Sequence, residues 1–287
     1  MREAIARFVP DGSSIAIGCA LEPAIPFSAG HELIRQRRRE LTLIGPISDI
    51  LFDQLIGAGC VAKIIAAWVG NVSAGLAHCY RRAAEQGIPR RIEIIDHSNF
   101  SIGLSLLAGA LGAPYIPTKT LLGSDIRRTN PLLREARDPF SGDEVVLVPA
   151  LRPNVTIIVA QRADASGNAQ LWGPWGVSEE AALAADRVIV VADELVDGDA
   201  IGERPNLTLV PALKTCAVVV EKGAAHPSPL QGRYGRDHVF FAEYHAATRT
   251  RDGFDAWLRE WVLDVRDRTE YLAKLGARWT ALRERAV

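Results

Sequence analysis

Residues 11–35 read DGSSIAIGCALEPAIPFSAGHELIR: a short run of Ile and Ala, a Gly-Cys pair, a loop punctuated by Pro23 and Pro26, then a segment of helical composition. An apolar run that stops at a glycine and gives way to a helix is the opening of a strand–loop–helix unit. The same cadence recurs down the chain. Apolar runs stand at 14–19 (SIAIGC), 41–45 (LTLIG), 62–68 (AKIIAAW), 91–96 (RIEIID), 144–150 (EVVLVPA), 155–161 (VTIIVAQ), 186–193 (DRVIVVAD) and 215–223 (TCAVVVEKG). They are apolar on both faces, which is the pattern of buried parallel strands. Between them, HELIRQRRRE (31–40), AHCYRRAAEQG (77–87) and SEEAALAA (178–185) read as helices. The alternation predicts an α/β fold: an open, mostly parallel, doubly wound sheet with flanking helices.

Helix punctuation supports the spacing. Gly87 with Pro89 beyond it ends one helix, and Ser178 followed by two glutamates starts another as its N-cap. His31, at an apparent helix start, reads as a surface or capping residue. Near the C-terminus, Phe254, Trp257, Leu258, Trp261, Val262 and Val265 recur at helical spacing. A helical segment over about 250–287 is expected, packing on its own sheet or on a partner chain. The stretch 123–143 is the longest irregular piece and reads as a functional loop. No composition break marks a linker, so residues 1–287 are expected to form a single domain.

The chain is 48% hydrophobic and 23% charged, with a formal net charge of −1. That field gives no reason to expect nucleic acid or an anionic membrane as a partner. The opening MREAIARFVPDG carries charges and a proline where a secretory signal needs an apolar core, and no 18-residue apolar stretch occurs, so a cytoplasmic protein is expected. Cys19, Cys60, Cys79 and Cys216 form no CxxC pair, which suits neither a zinc site nor a disulfide framework. GxGxxG, Walker A and GxSxG motifs are all missing, which removes the simplest dinucleotide, P-loop and serine-hydrolase readings.

Ligands of open parallel sheets gather beyond the carboxyl ends of the strands. The residues that follow the runs are Gly18-Cys19, Gly45-Pro46, Asp96-His97-Ser98-Asn99, Gln161 and Asp193-Glu194. Gly18 admits a positive φ or a close approach to backbone N–H groups, as an oxyanion or phosphate site requires. Asp96 is either a catalytic carboxylate or a loop and N-cap residue. It does not pair with His97, because neighbours on an extended strand face opposite ways. Cys19 lacks an evident base in the sequence, and His78, His226, His238 and His245 read as structural.

Six blocks, in order, give the sequence a specific resemblance: DGSSIAIGCALEPAIP (11–26), LIGAGCVAKIIAAWVGN (55–71), IEIIDHSNFSIGLSLLAGALGAPYIPTKTLLGSD (92–125), DASGNAQLWGP (164–174), RVIVVADELV (187–196) and KGAAHPSPLQGRYGRD (222–237). Over nearly its whole length the chain resembles the A (alpha) subunit of family I coenzyme A transferases, including the glutaconate CoA-transferase group and related hydrolases that open rings in steroid degradation.

The resemblance implies a CoA-transferase-like sheet and a subunit that moves CoA between an acyl-CoA and a carboxylic acid. It also implies a separate B (beta) subunit, in a heterodimer or heterotetramer, that carries the nucleophilic glutamate. No bound cofactor is implied; the coenzyme A thioester is a substrate. Thioester carbonyls develop negative oxygen at each step, so glycine-loop N–H donors matter, and the turn at Gly18 is expected to form a pocket wall. The expected site comprises Asp96 as catalytic residue, with Gly18, Cys19, Asn99, Gly123 and Ser124 contacting substrate or CoA.

Two departures from the family pattern bear on this. Family members often carry Gly-Gly where this chain has Gly18-Cys19. The ring-opening branch carries an acid of its own in the block that here offers Asp96 or, in the alternative register, Asn99. A hydrolase in which Asp96 activates water is therefore the near rival. A non-catalytic ligand-binding domain on the same kind of sheet is the rival of another class, and the near-neutral charge and lack of an extra N-terminal DNA-reading domain speak against it.

Overall fold

In the computed structural model, which describes residues 1–286, seven of the eight apolar runs lie side by side as parallel strands. In chain order the strands are β1 (Ser14–Ile17), β2 (Leu41–Ile47), β3 (Val61–Trp68), β4 (Glu93–Asp96), β5 (Tyr115–Thr118), β6 (Arg134–Arg137), β7 (Glu144–Pro149), β8 (Val155–Ala163), β9 (Ala169–Gln170), β10 (Arg187–Leu195), β11 (Thr208–Val210) and β12 (Thr215–Val220). The parallel order is β12-β10-β8-β1-β2-β3-β4. The chain winds outward from β1 to β4, then returns to place β8 on the other side of β1. Short β9 and β11 add antiparallel pairs near the end of β8, completing nine strands among the described residues.

The sheet is covered on both faces, and strand alternation divides its side chains between them. Ile15 and Ile17 of β1 join Leu43, Ile64 and Val159 in the larger core, beneath the helices Phe27–Arg35 and Asp49–Gly57 and the C-terminal segment. Ala16, Ile44, Ile65 and Ile95 face the other way, against Ile102 and Leu106 of helix Asn99–Leu111 and Ala181 of helix Ser178–Ala184. Two buried faces explain why the strands are apolar throughout. The aromatic stripe packs within this chain: Phe254, Trp257, Leu258, Val262 and Val265 belong to the larger core. Among the described residues, no helix is long and apolar enough to cross a membrane.

Four expectations are corrected. The run 144–150 is not a buried parallel strand: β7 lies between β5 and β6 in a separate antiparallel sheet, whose own core is Leu121, Leu133, Val146 and Val148. The stretch 123–143 is less irregular than its composition suggests, since it holds helix Ile126–Thr129 and β6. Ser178 is the first residue of its helix, not the cap. His31 also changes role: it lies within a helix that begins at Phe27 and is buried from Phe27 to Ile34, and its side chain pairs with Gln54 at 3.1 Å.

Candidate active site

The strand order reverses between β1 and β8, which makes their carboxyl ends the switch point where open α/β sheets bind ligands. The loops there are tightly constrained. Gly18 sits at φ +73°, and a Cβ on it would stand 2.4 Å from Ser48 Oγ. That hydroxyl instead donates to the Ile17 carbonyl at 2.8 Å, tying the end of β1 to the end of β2. Leu21, Ala24 and Asp49 all hold left-handed backbone on this rim, at φ 72°, 51° and 46°. Side chains hold that conformation only where surrounding structure enforces it, and such strain gathers at functional sites.

Cys19 needs no left-handed conformation; Gly18 alone takes it. The Cys19 thiol is buried against Ala16, Ile44, Ile65 and Ile95, and burial, followed by the Glu180 charge, pushes its pKa up to about 12. Its carbonyl accepts from Val177 N at 2.9 Å. Burial likewise raises Cys60 to about 12 and raises Cys79 and Cys216. Thiols held in this way are protonated at neutral pH and are poor nucleophiles.

The other candidates gather three strands away, at the sheet edge. Asp96 ends β4 exposed to solvent, in a cleft of about 360 Å³ lined with Trp68, Leu76, Tyr80 and Ile94. Burial and then the Asp96 charge raise the pKa of Tyr80. His97 points the opposite way, as strand alternation requires: it is buried, its Nδ1 lies 3.0 Å from Ser101 Oγ, and burial lowers its pKa to about 4. The helix that follows is capped by Ser98, not Asp96; Ser98 Oγ accepts from Ser101 N at 3.0 Å, and Asn99 is its exposed first residue.

Gly123 is exposed and Ser124 Oγ accepts from Ile126 N at 3.2 Å. Their turn is fastened to the end of β4 through Asn130, whose Nδ2 donates to the Asp96 carbonyl at 2.8 Å. Asp96, Asn99 and the 123–130 turn are thus brought to one edge. Gly18 and Cys19 stand three strands off, roughly 14 Å at ~4.8 Å per strand.

A further cluster lies on the same rim and was not singled out from the sequence. Arg236 Nη2 lies 2.5 Å from Asp49 Oδ2, and its Nε donates to Ser73 Oγ at 3.2 Å. The guanidinium stacks over Phe241, 3.9 Å from the ring centroid. Asp49 Oδ1 accepts from Val72 N at 3.2 Å. Burial pushes the Asp49 carboxyl up, while Arg236 pulls it back. The available signal was the block at 222–237, whose final residues include Arg236. Those residues also position the β1 loop: Ala24 N donates to the Pro229 carbonyl at 2.8 Å, and Ser228 Oγ donates to the Glu22 carbonyl.

This geometry belongs to a known group of proteins. Residues 1–221 match the family described as Coenzyme A transferase. The A chain of the 3-oxoadipate CoA-transferase of Pseudomonas knackmussii is 40% identical over 276 residues, covering 96% of this chain and 97% of that protein. The A chain of the glutaconate CoA-transferase of Acidaminococcus fermentans is 32% identical, covering 96% of this chain and 91% of that protein. The crystal structure of glutaconate coenzyme A-transferase from that organism matches with a TM-score of 0.90, over 97% of this chain and 92% of the matched one. The crystal structure of a variant of the decarboxylase AibA/AibB matches with a TM-score of 0.78 at 29% identity, over 90% of this chain and 96% of the other. The chain described here is a member of the coenzyme A transferase family.

Proposed function

We propose that this chain is the A (alpha) subunit of a two-chain CoA transferase that moves CoA between an acyl thioester and a dicarboxylic acid. What carries the reading is the 40% identity to the A chain of a 3-oxoadipate CoA-transferase, spanning 96% of this chain and 97% of that one. Both relatives named for a transferase reaction, on 3-oxoadipate and on glutaconate, act on dicarboxylates. The buried, protonated thiols support the same view, because they leave the nucleophile to come from a B (beta) subunit.

In this reading the B subunit's glutamate attacks the acyl-CoA carbonyl, forming an anhydride and releasing the CoA thiolate. The thiolate then attacks the glutamyl carbonyl of the anhydride, freeing the first acid and leaving a glutamyl-CoA thioester. The acceptor carboxylate reverses the sequence. Splitting the exchange through a covalent carboxylate makes each step easier. This chain, taken as one domain, supplies the pocket wall at Gly18 and Cys19, and contacts to substrate or CoA from Asn99, Gly123 and Ser124. Asp96 stands at the cleft as the catalytic carboxylate that this chain offers.

The rival reading, a thioester hydrolase, is favoured by one observation: the Asp96 carboxylate opens to solvent at a strand end, where it has access to water. Purifying the chain alone and together with the product of a neighbouring B-subunit-like gene separates the two. Transfer requires a free acid as acceptor, and the isolated chain is expected to be inactive. Loss of thioester without any acid would establish hydrolysis. Asp96→Asn is expected to lower kcat by about tenfold or more with an unchanged Tm; an unchanged kcat removes Asp96 from the mechanism.

A further inference from the structure

Arg236 is held more firmly than an ion pair needs. Its side chain is only 9% exposed, and three partners fix the plane of the guanidinium: the Phe241 face, Asp49 Oδ2 and Ser73 Oγ. One nitrogen remains: Nη1 is buried without a hydrogen-bond partner. Glu22 Oε2 stands 3.9 Å from it, too far for a hydrogen bond. An arginine held flat with a free N–H edge is suited to a planar carboxylate, and an unmet buried donor favours any acceptor that reaches it.

Glu22 is built differently. Its side chain is 52% exposed, on a loop where Leu21 and Ala24 take left-handed backbone. The loop backbone is pinned by Ser228 and Pro229, so the carboxylate can leave Arg236 by side-chain rotation alone. The elements that meet at Arg236 follow β1, β2 and β3, all on the carboxyl side of the sheet.

We propose that Arg236 anchors the non-reacting carboxylate of the dicarboxylic substrate, and that Glu22 covers this anchor while the site is empty. The inference rests on the transferase reading above and adds the residue that distinguishes a dicarboxylate from a monocarboxylate. Binding replaces the long Nη1 to Glu22 contact with a charge-assisted hydrogen bond to the substrate, and Glu22 turns outward to water. Asp49 and Ser73 act as positioning residues for the guanidinium.

The test uses the assembled two-chain enzyme with acetyl-CoA as donor, 3-oxoadipate or glutaconate as acceptor, and butyrate as a monocarboxylate control. Glu22→Ala, an exposed change that leaves the core intact, is expected to lower the dicarboxylate KM about threefold to tenfold. Its KM for acyl-CoA and for butyrate should stay within about twofold. Arg236→Lys, which keeps the charge beside Asp49, is expected to raise the dicarboxylate KM about tenfold or more with a smaller effect on kcat. If wild-type enzyme transfers CoA to no dicarboxylate, the functional reading fails. If it does transfer, but Glu22→Ala leaves the dicarboxylate KM unchanged or shifts butyrate equally, the anchor assignment is overturned. The Glu22 variant decides the matter even if Arg236→Lys fails to assemble.

Discussion

At the scale of single residues, the rim depends on glycines whose places no side chain can take. Gly176 holds φ +57°, and a Cβ there would lie 2.2 Å from the Cys19 carbonyl oxygen and 3.0 Å from backbone atoms of Ala20. Backbone cannot swing aside as a flexible side-chain end can. Gly12 has a similar φ of +80° but open space around it. Gly12→Ala should therefore cost about 1 kcal/mol from conformation alone, and Gly176→Ala about 3 kcal/mol, because the clash adds to the strain. Urea unfolding of the two variants checks this, and equal losses would refute the packing account. The need for glycine at position 18 was legible from its place after an apolar run. The pairing of Arg236 with Asp49 was not, because the two lie 187 residues apart and neither sits in a motif that names its partner.

Among elements, the C-terminal helices are bound to the sheet loops through a buried imidazole. His226 Nδ1 lies 2.9 Å from Tyr271 Oη and Nε2 lies 3.1 Å from Asp237 Oδ2. Burial, against the pull of Asp237, lowers its pKa to about 4. The ring is neutral at pH 7, donating from Nε2 to Asp237 and accepting from Tyr271. In the unfolded chain a histidine protonates near pH ~6.5. Unfolding therefore takes up a proton between pH ~6.5 and about 4, and stability falls as pH drops through that window. His97, also lowered to about 4 by burial, acts in the same sense. Each should remove about 2 kcal/mol between pH 7 and pH 5. Urea unfolding at the two pH values should show a drop that shrinks by about 2 kcal/mol in His97→Gln; an unchanged drop would mean that His97 protonates alike folded and unfolded. The sequence disclosed the parallel strands because burial on both faces leaves a continuous apolar run. It misassigned residues 144–150 for the same reason, since a strand of a small antiparallel sheet shows a similar run when packed beside a helix. His31 was misread because its helix is buried on nearly every side, from Phe27 to Ile34, and that burial comes from packing partners distant in sequence.

For the molecule as a whole, the two sheets differ in how they are held. The small sheet closes over only four buried apolar residues, and the tip of its hairpin carries Phe140 at 97% exposure. Local stability follows the apolar surface that an element buries. Amides of β5, β6 and β7 should exchange about a hundredfold faster than those of β8 and β10, as hydrogen exchange of the isolated chain would show; equal protection would mean that both sheets open together. The large sheet has a different point of sensitivity, where its outgoing and returning halves meet. β1 and β8 pair over three residues, with the Ser14 backbone N–H reaching Asn154 Oδ1 140 positions along the chain. During synthesis at about 5–20 residues per second, the edge of β1 destined for β8 stays uncovered for roughly 7–28 s after it emerges. A bare strand edge invites pairing with any other chain, so this interval on the ribosome is when the nascent polypeptide most needs a chaperone.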